Sequence, residues 1–509
     1  MNLFNLKSLQ KFGLTVAALA CVAPANVAAQ EGHAPDKSAA LDEITVTAQR
    51  REQSLQDIGV AVTAFSTDDI TDMGFTQARD LAGQTPSLSI ANAQSESVPI
   101  FAIRGVGLDD YNINNSSSVA IYVDDVFASS PAFLNFQLMD IKAVEVIRGP
   151  QGTLFGKNAT GGAVTFTSNR PTEEFESSIR ASYGRFDEAK VEGHINGGLS
   201  DTVRGRLAFS TLQGGEYQTD IYTGAGYGDL DKAAVRGMLE FDLSDTVGAL
   251  WNIHAGRDKS TSSATVIADD AGGLVFFGLE GGTFADGFHT ARDVEAGFIP
   301  THDNSGWGSS LTIDAELSFG SLTSITAFGE EDVLIADSYD GRASFYGDVV
   351  SDITLEQFSQ EFRLTSASDG PFTWVGGVIY SVEEQLAREN SVPLGDTITL
   401  LDIIFAAGLG PVVESDAAVD TQYDQKIESL GAYFHTETQL NNQFKLTAGL
   451  RYSSDEVTYS ADVIDFTAFN DGFGGFIAAT NLFFNGTIIP TTAPVDGVGV
   501  NMGGVGGPG

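Results

Sequence analysis

The sequence predicts a mainly β chain: a compact α/β domain near the N-terminus, followed by an antiparallel transmembrane β-barrel wall. Three observations predict it. Segments of about ten residues alternate apolar and polar side chains from about residue 175 onward, the length a tilted strand needs to cross a bilayer. The links between them are alternately short and long. No run of about 18 apolar residues occurs past the N-terminus, which leaves a membrane-crossing chain only the closed barrel. Composition agrees, since 57 Gly and 34 Phe in 509 residues suit aromatic strands joined by turns.

Charge narrows the function. Asp and Glu number 68 against 27 Lys and Arg, a net charge of −41. Phosphate binding needs clustered cations, so a nucleic-acid partner is excluded. The acidic excess reads as solvated loops rather than a metal site.

Residues 1–29 read as a secretory signal peptide. Lys7 and Lys11 supply the positive region, 12–25 the apolar core, and Val27, Ala28 and Ala29 the small residues before a cut that leaves Gln30 first. Cys21 falls inside this segment and lacks a Leu three residues upstream, which disfavours lipoprotein processing. The mature chain is then expected to have neither disulfide nor thiol nucleophile.

Residues 30–52 form a flexible N-terminus. Within it, 42–48 (DEITVTA) is β-prone and stands alone before Gln49, Arg50, Arg51 and Glu52. Two readings stay open on pattern: an ordinary first strand of the next domain, or a detachable strand that adds to a partner's sheet edge.

Residues 53–171 read as the α/β domain. Strands are expected at 60–65, 100–105, 119–124, 143–149 and 163–167. Thr67, Asp68 and Asp69 cap a helix that carries Ile70 and Phe75 and continues through 78–81 toward the breaker Pro86. Arg104 and Arg148 are expected as buried charges paired to carboxylates.

Residues 172–509 carry the wall. In 311–319, Leu311, Ile313, Ala315, Leu317 and Phe319 share one face, and Thr312, Asp314, Glu316 and Ser318 the other. Segments 235–243 and 444–452 repeat the pattern, and about eleven such strands precede residue 455. Short turns fall at 199–201, 243–245, 319–321, 366–371 and 440–442. Long links are expected at 214–231, 258–307, 333–353 and 384–424. Outer-membrane barrels place short turns in the periplasm and long loops outside.

Several runs resemble one family. The run 144–156 (VEVIRGPQGTLFG) leads into 158–163 (NATGGA); 103–107 (IRGVG) and 123–127 (VDDVF) precede it, and 447–452 (TAGLRY) follows in the wall. These are similar to the TonB-dependent outer-membrane receptors, and 42–51 resembles their TonB box with its basic residues. The resemblance implies a plug domain inside a barrel of about 22 strands. It also implies pairing of Glu43, Ile44, Thr45, Val46, Thr47 and Ala48 with TonB, which is energised by an inner-membrane complex. Arg104, Gly105, Arg148, Gly149, Pro150, Gly152, Gly156, Gly161 and Gly162 become structural residues of the plug. The implied setting is the outer membrane of a Gram-negative bacterium, reached through its lipid and the barrel-assembly machinery. The implied cargo is a scarce small molecule, most commonly an iron–siderophore complex, with sugars or cobalamin as alternatives.

Other chemistries have little support. A phosphate loop ending at Gly156-Lys157 fails where Gln151 and Asn158 stand. His33, His194, His254, His289, His302 and His435 show no metal-ligand spacing. His289 and His302, beside Asp286, Asp293 and Asp303, are expected in a solvated loop. No enzyme or cofactor fingerprint appears. A signalling receptor would need a further domain of about eighty residues before the TonB box, and a passive porin has no reason to fill its lumen. Eleven strands are half of a full wall, and the Gly-rich 497–509 lacks a terminal aromatic residue. The sequence is therefore expected to be C-terminally incomplete, and a half barrel with two open edges is not expected to assemble alone.

Overall fold

The computed structural model of the chain describes residues 45–261, 293–294, 301–338, 348–392, 417–467 and 500–501, less 48, 52, 57, 76, 94–97, 109–114, 221–223, 368–369 and 442. The signal peptide expected at 1–29, together with Glu43, Ile44, Ala48, Asp286 and His289, lies outside the described residues.

An arm comes first. Strands β1 (Thr45–Val46) and β2 (Gln53–Ser54) pair antiparallel. The plug follows with β3 (Ala61–Ser66), helix α1 (Thr67–Asp72), a 3-10 turn (Ala78–Leu81), and the hairpin β4 (Leu88–Ala93) and β5 (Val98–Ile103). Next come β6 (Val119–Val123), β7 (Val126–Phe127), a 3-10 turn (Pro131–Leu134), β8 (Ile141–Arg148), α2 (Gly152–Phe155) and β9 (Gly162–Ser168). The cap of α1 is Ser66, one residue earlier than expected. Its hydroxyl accepts from the Asp69 amide while the Asp69 carboxylate accepts from the Ser66 amide, a capping box. The 3-10 turn is a separate element rather than a continuation of the helix.

The plug sheet runs β3-β8-β9-β6-β7, with β6 and β9 parallel. Side chains alternate across it. Phe65, Val144, Val146, Val164 and Phe166 join one core cluster, and Ile147, Ala163, Ala120 and Tyr122 another.

The wall begins at β10 (Glu176–Tyr183), β11 (Ala189–Ser200) and β12 (Val203–Gly214). Short strands β13 (Gln218–Asp220), β14 (Gly226–Tyr227) and later β17 (Asp293–Val294) make a small sheet in the long links. The wall continues with β15 (Leu230–Ser244), β16 (Val247–Asp258), β19 (Asn304–Leu317), β20 (Gly320–Ser338) and β21 (Asp348–Ser366). It ends with β22 (Phe372–Val392), β23 (Ala417–Asn441) and β24 (Phe444–Thr467). Two-residue strands β18 (Thr301–His302) and β25 (Val500–Asn501) pair with β20 and β24. The long strands are therefore the expected eleven, joined antiparallel in sequence order.

Their length departs from expectation. Beyond the first few, strands run to 19, 21 and 25 residues against the roughly ten needed to cross lipid. The links expected at 333–353 and 384–424 are strand at both ends, because β20 to β23 stay paired well past the length that crosses lipid.

Wall polarity is inverted relative to a soluble sheet. Leu207, Phe209, Val235, Trp251, Ile253, Leu430, Phe434 and Leu450 are exposed on the outside. Arg206, Arg236, Asn252, Glu331, Glu361 and Arg363 are buried on the inside, against the plug. Apolar side chains that face outward in this number require a lipid solvent.

Candidate functional site

The described part of the arm lies on the plug sheet. Val46 is 1% exposed and packs with Ala120, Tyr122, Ile147, Leu154 and Phe155. The Thr47 amide donates to Glu145 Oε1 at 2.7 Å, and its hydroxyl donates to the same oxygen at 3.1 Å. A tight turn follows, with the Arg50 amide donating to the Thr47 carbonyl at 2.8 Å.

Arg50 then enters a cage. Its guanidinium lies 4.2 Å from the Tyr122 ring centre and 4.7 Å from that of Phe155. It donates to Asp125 Oδ1 at 2.7 Å. Arg363 on β21 donates to the other oxygen of Asp125 at 3.1 Å and to Glu361 Oε1 at 2.9 Å. The Tyr433 hydroxyl on β23 donates to that same Glu361 oxygen at 2.8 Å. One polar chain thus links arm, plug and wall.

Asp125 is half open to solvent, at 48%, while the Arg50 and Arg363 side chains are 3% and 6% exposed. Packing around Asp125 pushes its carboxyl up, but Arg363 and Arg50 outweigh that and hold it well below the usual range. Burial pushes Glu145 up, and the two Thr47 bonds only partly oppose it.

A second set of contacts fixes the plug body. Arg206 on β12 grips Asp140 with two bonds of 2.6 Å. Arg236 on β15 donates to the carbonyls of Met139 at 2.9 Å and Gln137 at 2.6 Å. Asn252 reaches Asp124 at 3.1 Å, Asn135 reaches Glu331 at 2.9 Å, and Lys157 pairs with Glu383 at 2.7 Å.

The glycine-rich run expected to be structural forms the turn from β8 to β9. Gly149 takes φ +97° and its amide donates to the Gly161 carbonyl at 2.9 Å. Pro150 follows it, Gly152 opens α2, and Gly156 ends that helix. A side chain at Gly162 would place Cβ 2.2 Å from the Ile147 carbonyl.

The expected pairing of Arg104 and Arg148 is corrected. Arg104 is exposed at the turn before Gly105, and Arg148 buries a guanidinium Nε that has no partner. Neither forms an ion pair among the described residues. Buried or partly buried charges that are paired at the plug include instead Arg50, Asp125, Lys157, Glu383, Arg206, Asp140, Glu361 and Arg363. Distant sequence carries no signal for such pairs. Glu145 does leave one, a lone acid inside the apolar run 143–147. His302 is also corrected: it is 4% exposed, beside Asp258 and Lys232, and burial lowers its pKa to about 4.

A plug bonded to the inner face of an antiparallel wall with an apolar outer face defines the plugged outer-membrane β-barrel class. Comparisons with known proteins agree. Residues 54–163 match the TonB-dependent Receptor Plug Domain. The pesticin receptor of Yersinia pestis is 30% identical over 165 residues, which covers 31% of this chain and 24% of that protein. The ferric-pyoverdine 358 receptor of Pseudomonas putida is 27% identical over 185 residues, 35% of this chain and 22% of that one. These matches span about a quarter of the relatives' own length.

Among solved structures, the ferric yersiniabactin uptake receptor of Yersinia pestis superposes with a TM-score of 0.61 at 18% identity, covering 81% of this chain and 62% of that one. The ferripyoverdine receptor of the Pseudomonas aeruginosa outer membrane gives 0.60 at 15% identity, covering 84% and 57%. Residues 54–163 thus carry the plug domain of the TonB-dependent receptors, and the described fold is similar to that of solved receptors of this kind.

Proposed function

We propose that the protein is an energised outer-membrane receptor that imports a scarce ligand, an iron–siderophore complex in the first instance. The observation that carries this is the arm: a two-residue strand, Thr45–Val46, held on the plug by few bonds and lying inside the segment that resembles a TonB box. The outer membrane offers neither ATP nor an ion gradient, so work must arrive mechanically. A detachable strand that adds to another sheet's edge is a physical means of delivering it. In this reading residues 43–48 pair with TonB, 53–171 are the plug and 172–509 belong to the wall. Relatives named as receptors for pesticin, ferric pyoverdine and hemin, and as a vitamin B12 transporter, support a binding and transport role rather than catalysis.

The test is uptake of radiolabelled ferric siderophore by a deletion strain complemented with the parent gene or with Ile44→Pro. Proline removes a backbone donor and breaks strand pairing. The variant should import no more than the deletion strain. Normal import by the variant sinks the coupling role of 43–48. Parallel assays with cobalamin and oligosaccharides read out the alternative cargoes.

A further inference from the structure

Glu145 occupies a place where a carboxylate is costly. It sits mid-strand in β8, between Ala64 of β3 and Thr165 of β9, and is 3% exposed. Among the described residues of the sheet, it is the only charged side chain on its face, which Val62, Ala64, Ile147 and Ala163 otherwise make apolar. No described Lys or Arg pairs with it. Its Oε2 and the neighbouring Thr165 Oγ1 are buried without a partner among the described residues. A buried acid that served the sheet itself would be bonded within the sheet. Both bonds to Glu145 come instead from Thr47, one from the backbone and one from the hydroxyl.

The structure assigns to Glu145 the positioning of residues 45–47: we propose that it is the catch that holds the arm on the plug. This rests on reading the arm as the coupling strand. Both bonds end on one residue, so they break together when the arm departs. Val46 beside them comes off the same apolar face. The catch is selective because it grips a main-chain N–H, which any strand presents, together with a hydroxyl that only Ser or Thr supplies at that register.

The experiment measures docking without transport. Val46→Cys, a near-isosteric change at a covered position, is placed in the receptor in opened outer-membrane vesicles, and maleimide labelling at residue 46 is followed by peptide mapping. Glu145→Ala should speed labelling on the order of ten- to hundredfold, the range for charge-assisted hydrogen bonds. Glu145→Gln keeps an accepting oxygen and should stay within about threefold of the parent. A rate unchanged by Glu145→Ala overturns the assignment. A parallel Val164→Cys, buried on the opposite face of the same sheet, reports on plug integrity. Acceleration there as well means that Glu145 serves the plug's own packing, and also overturns the assignment. Uptake separates this from the transport reading. Faster labelling with unchanged uptake leaves the catch standing and removes the arm from transport, whereas unchanged labelling with lost uptake removes the catch alone.

Discussion

The two faces of the plug sheet are built for different ends. One carries Phe65, Val144, Val146, Val164 and Phe166, sealed by Leu81, Phe101, Ile103 and Leu134, with the wall residues Val333, Ile335, Ile353 and Leu355 in the same cluster. The other carries Ile147, Ala163, Tyr122 and Glu145 beneath a short arm. Buried polar atoms without a partner gather on the arm side: Gln49 Oε1, Arg50 Nε, Gln53 Oε1, Glu145 Oε2 and Thr165 Oγ1. Away from the arm, the described plug has Arg148 Nε and Ser168 Oγ at strand ends and Thr85 Oγ1 in the turn before β4. Each such atom costs about 1–3 kcal/mol unless hydrated. Burial is thus strong on both faces, but the unpartnered atoms are more numerous beneath the arm. The difference teaches that an interface can be covered without being made permanent.

Substitutions can break or sharpen that contrast. The largest effect is expected from Phe166→Ala, which empties a site 1% exposed and costs about 3–5 kcal/mol. Hydrogen exchange across 162–168 should rise sharply, and protection that persists would mean the sealed face is not the plug's core. Asp125→Ala is expected to cost about 1–2 kcal/mol, less than for a buried pair because half of the carboxylate already meets solvent. It should free the arm, read as faster labelling of Val46→Cys, while exchange in 162–168 stays unchanged. Coupled changes at both places would show the faces to be one unit.

Ser66→Ala removes the cap of the helix that brings Ile70 to the sealed face, at about 1 kcal/mol. Exchange in 67–72 should increase with no effect on the arm.

The smallest effect is in pH. Glu145 is raised above its ordinary 4.5, so stability should rise as pH falls through that raised value toward 4.5. Asp125 is depressed below 3.8, so its contribution is full above that value and is lost as pH falls toward the depressed one. Glu145→Gln should erase the first limb of a denaturation-versus-pH curve and keep the second. A curve of unchanged shape would mean that Glu145 is not perturbed.

Much of this was legible in the sequence, and the gaps have physical causes. Short apolar runs mark β6, β8 and β9, which are covered on both faces, and alternation marks the eleven wall strands, because one face of each meets a different solvent from the other. It does not mark β4, where Ser89 and Asn92 interrupt the pattern and β5 is the sole described partner. It also fades at the outer ends of β20 to β23, where both faces carry polar side chains, such as Glu384 on one and Gln385 on the other. The arm stands out as an isolated β-prone segment, but Asp125 and Arg363 are 238 residues apart and no local pattern joins them. Arg104 and Arg148 illustrate the converse. A charge inside a recognisable motif says that a residue matters, not which partner it meets.

The unequal strands of the wall have a consequence for how a solute arrives. At about 3.3 Å per residue and a tilt near 45°, the 12 residues of β12 rise about 28 Å, close to the thickness of the hydrocarbon slab. The 25 residues of β23 rise about twice as far. Among the described strands, β20 to β24 therefore outreach the slab while β10 to β12 do not, so a solute that approaches along β20 to β24 meets hydrogen-bonded strand before it meets lipid.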